Sequence, residues 1–301
     1  MQLGFRRNAI KRVNAAFPHG EISLNYRHAF HAGNFADVVK HALLVSIVEY
    51  LKRKDKKFRV IDTHAGRGRY DLSSEEATRT GEHLDGISRL MESPSAQAPE
   101  LQAYLDIVRA EGAGCYPGSP LIARRLMRRQ DRLSAYELHP FEAEALKEVF
   151  AGDVQAKVIA LDAWLALGAH LPPKEKRGLV LIDPPFEKTS EIDDIIEGVT
   201  QAYKRWPGGI YAIWYPIKRR NERARLHAGL KASGIPKIVA ADFFREPFTT
   251  EEKLVGSGLV VVNPPYTFAG EAERLMAILK QVLGKEGRGS VEMVAISGER
   301  S

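Results

Sequence analysis

The chain has 301 residues, enough for one large α/β domain or for two small ones. No apolar run approaches the roughly 18 residues that a membrane span requires, so we expect no membrane association. Lys and Arg exceed Asp and Glu by six, which weakly favours a polyanionic partner. The single cysteine, Cys115, excludes an intramolecular disulfide and a thiolate zinc site, and it fits a reducing cytoplasm.

Residues 1–22 form a basic segment, in which the first twenty residues include four Lys or Arg residues and no acid. Because the segment lacks a long apolar stretch, it does not have the pattern of a secretory signal. We expect a poorly ordered basic extension without chemistry, followed by one folded domain over residues 23–301.

Residues 24–37 are rich in histidine, asparagine and aromatic residues and show no regular periodicity, which indicates an ordered loop. The apolar spacing from Val38 to Leu51 then predicts a helix. His28 and His31 invite a metal interpretation, but no carboxylate or thiolate cluster accompanies them in the sequence. We therefore expect no metal, and a loop that either packs against the core or folds over a ligand.

A glycine-containing turn follows the first predicted strand. Phe58–Asp62 is a short apolar segment, and the turn Thr63–Arg69 after it contains Gly66 and Gly68. This arrangement resembles the nucleotide-binding turn of Rossmann-type methyltransferases, where glycine lets the backbone approach a ligand closely. His64 in the turn is either a surface histidine or a ligand contact.

The next stretch is predicted to be mostly helical. Residues 71–114 carry interrupted helical patterns and no strand candidate, which indicates a small helical insertion. Tyr116–Pro120 then begins a helix, with Ser119 as the N-cap and Pro120 in the first helical position. The arginines between Arg124 and Arg129 indicate either a solvated face or a phosphate-binding surface.

Acidic residues end the next two predicted strands. Arg132–Glu137 is a strand that ends in Glu137, and Val154–Leu161 is followed by Asp162 and Ala163. In Rossmann nucleotide folds an acid after the second strand accepts the ribose hydroxyls, and Asp162-Ala163 suits contacts with an adenine ring. Each acid alone could be a strand-end cap, but two in succession after a glycine turn favour a cofactor site.

The most specific feature is the strand Gly178–Ile182 with the tetrapeptide Asp183-Pro184-Pro185-Phe186 after it. Four branched apolar residues predict a strand buried on both faces, and the prolines make the loop stiff. The tetrapeptide resembles the catalytic [Asp/Asn/Ser]-Pro-Pro-[Tyr/Phe/Trp] motif of S-adenosylmethionine-dependent amino-methyltransferases. Asp183 and the Pro184 carbonyl could accept the two hydrogens of an adenine amine, and Phe186 could stack on the base. The alternative is a strand followed by a proline-rich turn.

Three further strands are predicted at residues 209–216, 237–244 and 258–262, which brings the number to seven. The last two should pair antiparallel, because no helix of ordinary length fits between them. Asn263–Tyr266 repeats the tetrapeptide pattern after the seventh strand. We interpret this copy as structural, because it follows the complete set of strands.

From about Leu24 to its C-terminus, the chain resembles the bacterial ribosomal large-subunit methyltransferase J family, which makes N6-methyladenine in 23S ribosomal RNA. The resemblance implies a Rossmann-like, seven-stranded, S-adenosylmethionine-dependent methyltransferase fold with a small helical insertion. Phe186 stands where Tyr is more usual, and the first twenty-odd residues have no counterpart. The resemblance rests on five motifs: Tyr26–Asn34, Asp62–Gly66, Tyr116–Pro120, Glu137–Pro140 and Ile182–Phe186.

The resemblance also assigns roles to residues of this chain. Asp183, Pro184 and Phe186 would be catalytic, and Tyr26 and His28 would contact the substrate RNA. The residues implied to bind S-adenosylmethionine are Lys40, His41, His64, Gly66, Ser119, Glu137, Asp162 and Ala163.

The residues alone lead to an adenine or amide N-methyltransferase, because enzymes acting on DNA adenine, RNA adenine and protein glutamine share the motif. With the resemblance, we expect a monomeric cytoplasmic enzyme that methylates a specific adenine N6 in 23S ribosomal RNA. DNA or another RNA is the alternative substrate. A catalytically silent RNA-binding or assembly protein is the alternative of a different class, and titration with S-adenosylmethionine distinguishes it.

Overall fold

The structure, a computed structural model, describes residues 28–188 and 190–299. Its centre is an eight-stranded sheet with the order β10-β8-β9-β7-β6-β1-β4-β5. The strands of this sheet are β1 (Arg59–Asp62), β4 (Arg132–Tyr136), β5 (Ala156–Ile159), β6 (Gly178–Ile182), β7 (Ile210–Ile217), β8 (Ile238–Phe244), β9 (Gly256–Val262) and β10 (Ser290–Ser297).

The five strands from β5 to β7 run parallel, so their carboxyl ends meet at one edge of the sheet. In the central register, Val60 of β1 lies between Leu133 of β4 and Leu179 of β6. Every residue of β6 is buried, as its run of branched apolar residues predicts for a strand covered on both faces. This edge, called here the carboxyl edge, is where open α/β sheets place their ligands.

Helices cover both faces of the sheet. On one face, helices α1, α5 and α10 pack with the apolar side of β1, β4 and β9, and on the other α7, α8 and α9 pack against β6, β7 and β8. The helices are α1 (Phe35–Lys52), α2 (Glu75–Thr80), α3 (Ile87–Glu92), α4 (Pro99–Ala110), α5 (Ser119–Leu126), α6 (Pro140–Val149), α7 (Ala163–His170), α8 (Glu191–Arg205), α9 (Arg220–Ala232) and α10 (Phe268–Leu283).

A second, two-stranded sheet joins β2 (Arg69–Asp71) and β3 (Cys115–Pro117) in antiparallel pairing. Neither strand was predicted, because three residues are too few to show an apolar alternation. Helices α2 to α4 lie between them in the chain, within residues 71–114. The predicted basic extension of residues 1–22 lies outside the described residues.

The α/β fold class is confirmed, but the number of seven strands is wrong, since the large sheet has eight. The additional strand, β10, pairs antiparallel with β8 at the end of the sheet. Seven of its eight residues are exposed or only partly buried, as is typical of a strand at the end of a sheet, and no strand was predicted there. The predicted antiparallel pairing of β8 with β9 is confirmed.

The repeated motif at Asn263 lies at the other edge of the sheet from Asp183. Strand β9 is antiparallel to β7, with Val262 opposite Tyr211, so Asn263 lies beside the beginning of β7. Its side-chain amide donates to the carbonyl oxygens of Pro207 at 2.7 Å and Gly209 at 2.8 Å. This geometry supports the structural interpretation of that copy.

Candidate active site

A cavity of about 370 Å³ opens at the carboxyl edge, within the size range of small-molecule sites. Loops that follow β1, β4, β5 and β6 form it, together with α1 and the beginning of α5. Phe186 is absent from its lining, and Tyr26 lies outside the described residues. The predicted site residues that line the cavity are His28, Lys40, His41, His64, Gly66, Ser119, Glu137, Asp162, Ala163, Asp183 and Pro184.

A buried ion-pair network links α1 to the end of β6. The Lys40 ammonium lies 2.6 Å from Asp183 Oδ2 and 2.8 Å from Asp37 Oδ1. Burial alone would lower the pKa of Lys40, but the two carboxylates outweigh it and raise this pKa above its ordinary value. Lys40 therefore carries its charge at neutral pH and fixes one oxygen of Asp183.

Asp37 completes the network from within α1. Its Oδ2 lies 2.9 Å from His28 Nε2 and accepts the Gly33 backbone N–H at 3.0 Å. Burial would raise the pKa of Asp37, but the neighbouring His28 and Lys40 hold it well below its ordinary value. The carboxylate thus ties the loop before α1 to the lysine that contacts Asp183.

Asp62 and Ser119 form a second buried pair. The Ser119 hydroxyl donates to Asp62 Oδ2 at 2.6 Å, and Asp62 is 1 % exposed. Burial raises the pKa of Asp62 to about 7, although the Ser119 hydrogen bond opposes this rise. The prediction of Ser119 as N-cap is wrong, because Gly118 occupies that position and Ser119 is the first helical residue of α5. Its hydroxyl serves Asp62 instead.

Two of the three predicted histidines that line the cavity, His41 and His64, are neutral. Burial lowers the pKa of His41 to about 3 and that of His64 to about 4. His41 Nδ1 lies 2.7 Å from the Tyr116 hydroxyl, whereas its buried Nε2 has no hydrogen-bond partner among the described residues. The Asp183 backbone N–H donates to His64 Nδ1 at 3.3 Å. His41 therefore lines the cavity with one ring nitrogen that has no hydrogen-bond partner among the described residues, which is unusual for a buried polar atom.

Glu137 organises the glycine turn. Its carboxylate accepts the backbone N–H of Gly66 at 2.8 Å and that of His139 at 2.7 Å. Burial raises the pKa of Glu137 above its ordinary value. Gly66 has a φ of +58°, and a Cβ there would lie 2.3 Å from the Tyr70 hydroxyl, so only glycine fits. Each carboxylate oxygen has a further lone pair that a ligand hydroxyl can use.

Asp162 is the N-cap of α7, and its Oδ1 accepts the backbone N–H groups of Trp164 and Leu165 at 2.9 and 3.0 Å. A capping role was the alternative to cofactor binding for this acid, and Asp162 does cap the start of α7. Ala163 is buried beside it at the start of α7. The carboxylate still lines the cavity, so capping and ligand contact are compatible.

Phe186 adopts a φ of +54°, and its ring packs edge-to-face against Trp214 with 5.7 Å between ring centres. Trp214 also lies 5.3 Å from the Lys40 ammonium, and its indole N–H donates to Ser257 Oγ at 2.9 Å. In this arrangement the ring of Phe186 faces Trp214, and its stacking on a base stays a prediction.

Sequence reasoning missed several residues that build the site. Asp37 could have been found from its position three residues before Lys40 on one helix face. Asp62 was noted only as the end of the first strand and the start of the motif Asp62–Gly66. Tyr116 was noted only as the start of the motif Tyr116–Pro120, and Trp214 only as part of a strand, because their contacts with His41 and Phe186 join distant parts of the chain.

The arrangement combines the Asp183 carboxylate at the end of a parallel strand with two neutral histidines and with the acids Glu137 and Asp162 around one cavity. Within residues 28–188 and 190–299, no group of three or more His, Cys, Asp or Glu side chains is placed to hold a metal ion. In the same part of the chain, no helix has the length and apolar character needed to span a membrane.

Comparison with known proteins places the chain in one family. Residues 55–296 match the family described as ribosomal RNA large subunit methyltransferase D, RlmJ. The chain is 43% identical over 270 residues to ribosomal RNA large subunit methyltransferase J of Escherichia coli (strain K12), covering 88% of this chain and 96% of that protein. The protein of the same name from Haemophilus influenzae is 42% identical over 273 residues, with 89% and 96% covered.

A crystal structure of a protein from Legionella pneumophila is also similar, with a TM-score of 0.82 and 33% identity. The similarity covers 89% of this chain and 98% of that one. These matches confirm the resemblance first seen in the five motifs. The chain belongs to the RlmJ family of ribosomal RNA large subunit methyltransferases, and the protein is a methyltransferase enzyme.

Proposed function

We propose that this enzyme transfers a methyl group from S-adenosylmethionine to the exocyclic N6 amine of a specific adenine in 23S ribosomal RNA. The observation that carries the proposal is the position of Asp183. It lies at the carboxyl end of the buried strand β6, lines the cavity and is followed by two prolines. The family membership adds the ribosomal RNA substrate.

S-adenosylmethionine is the methyl donor of this family of enzymes, and when bound it supplies an electrophilic methyl group. The cavity offers the donor set that this molecule needs. His41 and Gly66 both line the cavity, and His41 Nε2 has no hydrogen-bond partner among the described residues. We assign Glu137 to the ribose hydroxyls and Asp162 with Ala163 to the adenine. We also assign Lys40, His64 and Ser119 to the cofactor site. Hydrogen bonds hold two of these side chains in place: His64 accepts the Asp183 backbone N–H, and the Ser119 hydroxyl donates to Asp62.

The target amine is a weak nucleophile, because its lone pair is delocalised into the adenine ring. Asp183 and the Pro184 carbonyl accept its two N–H hydrogens and thereby localise and aim the lone pair. Since Lys40 holds Asp183 Oδ2, we assign Asp183 Oδ1 to the amine. In the transfer, the nitrogen–carbon bond would form as the carbon–sulfur bond of the sulfonium breaks and leaves its electron pair on sulfur. The amine would then release one proton, for which the hydrogen-bonded Asp183 carboxylate is the nearest acceptor.

An adenine must leave its stack to reach Asp183. We propose that His28, which lines the cavity, and Tyr26 contact the extruded nucleotide, and that Phe186 stacks on its base. We further propose that the protein acts as a monomer in the cytoplasm, without a metal ion, and that residues 23–301 form one methyltransferase domain with a helical insertion.

A substrate panel tests the proposal. The enzyme is incubated with labelled S-adenosylmethionine and with 23S ribosomal RNA, total tRNA or duplex DNA, and the products are digested to nucleosides. We expect label in N6-methyladenosine from 23S RNA only. Preferential labelling of tRNA or DNA, or label in a different nucleoside, would contradict the proposed substrate.

A further inference from the structure

A second feature of the molecule lies at the edge of the sheet opposite the cavity. Strands β6, β1 and β4 are parallel neighbours, and Arg59 of β1 pairs in register with Gly178 of β6 and Arg132 of β4. The segments that lead into these three strands therefore lie side by side. They are residues 174–177, 52–59 and 128–132, and we call them together the basic edge.

The basic edge concentrates positive charge. Its three segments contain twelve Lys or Arg residues and three acids, a surplus of nine charges, whereas the whole chain has a net charge of only +6. The rest of the molecule is thus slightly acidic, and the positive charge of the protein is gathered at one place. Such a concentration is the electrostatic footprint of a polyanion-binding surface.

The three acids of the basic edge leave most of its exposed cations without an ion pair. Asp131 is fully buried and Glu175 is 6% exposed at its side chain, and each is already paired, with Arg128 and Arg59 respectively. Asp55 is the one solvated acid of the three segments, with 97% of its side chain exposed. Among the described residues, no ion pair is formed by Lys54, Lys56, Lys57, Arg129, Lys174 or Lys176, all of which are exposed.

Two partly buried guanidinium groups, those of Arg128 and Arg177, hold this cationic surface in shape. Arg128 donates to the carbonyl oxygens of Lys54 and Lys56, each at 3.0 Å. Arg177 donates to the Lys56 carbonyl at 3.0 Å and to that of Leu51 at 2.6 Å. These hydrogen bonds fix the backbone of the segment 52–59, whose exposed lysine side chains are directed to solvent.

Both guanidinium groups also lie over the buried ring of Phe58, at 5.6 Å for Arg128 and 5.9 Å for Arg177. Partial burial and the neighbouring Arg128 lower the pKa of Arg177. Crowding of unpaired cations costs stability, and a bound polyanion would offset this cost.

We propose that the basic edge binds the phosphate backbone of the substrate ribosomal RNA at a position remote from the methylated adenine. The chemistry of the surface fits phosphates, since exposed lysines and arginines neutralise them without reading sequence. The five residues of β6 separate this edge from Asp183 by roughly 15 Å. An RNA that fills the cavity and reaches the basic edge must therefore extend around the protein. This inference rests on the proposed function.

The proposal predicts a dependence on the length of the RNA. The first variant carries Lys54→Glu, Lys56→Glu and Lys57→Glu, and the matched control carries Lys204→Glu, Lys231→Glu and Lys280→Glu, exposed lysines on α8, α9 and α10. Both triple variants change the net charge equally, so a general electrostatic effect would weaken both alike.

Binding of full-length 23S RNA and of the shortest hairpin that is still methylated is measured by fluorescence anisotropy at several salt concentrations. For full-length RNA we expect the first variant to bind about tenfold more weakly or worse, and its salt dependence to fall by about one per lost lysine contact. Binding of the hairpin, affinity for S-adenosylmethionine and turnover at saturating RNA should match the wild type.

Two results would overturn the inference. One is an unchanged affinity of the first variant for full-length RNA, which would leave the basic edge for an acidic protein partner or for solvent. The other is an equal loss in the control. Because the wild-type enzyme is assayed for methylation of 23S RNA in the same experiment, a failure of the proposed function is seen separately, as absence of N6-methyladenosine with intact RNA binding.

Discussion

The ion pair between Lys40 and Asp183 makes a sharp prediction about stability. In Lys40→Met, the apolar chain keeps most of the volume of the lysine but removes the ammonium that neutralises two carboxylates. Lys40 and Asp37 are each 3% exposed at the side chain and Asp183 is 12% exposed. Removing one partner of a buried pair typically costs about 3–5 kcal/mol, because a charge is left buried and uncompensated.

We expect a loss near the lower end, about 3 kcal/mol, since Asp37 keeps its hydrogen bonds from His28 and from the Gly33 N–H. Denaturant-induced unfolding at neutral pH, without cofactor, measures this loss. The pKa of Lys40 is raised and that of Asp37 is lowered. Lys40 therefore contributes to stability below about pH 10, and Asp37 contributes above about pH 4. A measurement at neutral pH includes both contributions in full.

Lys52→Met is the matched control, because Lys52 is on the same helix and pairs with Glu49 at 2.6 Å, but both side chains are partly exposed. Such a surface pair should contribute less than about 1 kcal/mol. The double variant Lys40→Met/Asp183→Ala should recover part of the loss. Equal stability of Lys40→Met and the wild type, or an equal loss in Lys52→Met, would refute the reasoning.

Three further predictions concern the cavity and the repeated motif. Glu137→Gln should weaken S-adenosylmethionine binding by about tenfold or more in calorimetry, because hydrogen bonds to a charged acceptor contribute about 1.5–3 kcal/mol; unchanged affinity would leave Glu137 as a support of the turn. The pKa of Asp62 is raised to about 7, so its contribution to stability is full below about pH 4 and is lost as pH rises through about 7. The melting temperature of the wild type should therefore fall relative to that of Asp62→Asn as the pH rises through this window, and parallel curves would contradict it. Asn263→Ala should lose about 1–2 kcal/mol of stability through two hydrogen bonds and keep full turnover, whereas abolished turnover in a folded protein would show that the wrong motif was chosen.

Much of the sheet and of the cavity could be predicted from the sequence, because both follow from local rules. A run of branched apolar residues marks a buried strand, and an acid after such a run lies at the carboxyl edge wherever the strands are parallel. Glu137, Asp162 and Asp183 were placed in this way, and the structure brings all three to one cavity.

The contacts between distant segments could not be predicted. Lys40 and Asp183 are separated by 143 positions in the chain, and no periodicity connects them. Ser119 was read as an N-cap from its neighbours alone, whereas its hydroxyl is used by Asp62, 57 positions away. The direction of the Phe186 ring depends on a positive φ, and β10 depends on a partner strand at the sheet end.

The role of Asp183 is the centre of this account, and Asp183→Ala tests it most directly. The methylation rate on 23S RNA is measured at saturating S-adenosylmethionine, and cofactor affinity is measured by calorimetry on the same protein. Since a positioned hydrogen-bonding or acid–base group contributes about 10²–10⁴-fold to rate, we expect a loss of that size with cofactor binding retained. A folded Asp183→Ala protein that methylates adenine N6 at the wild-type rate would contradict the account.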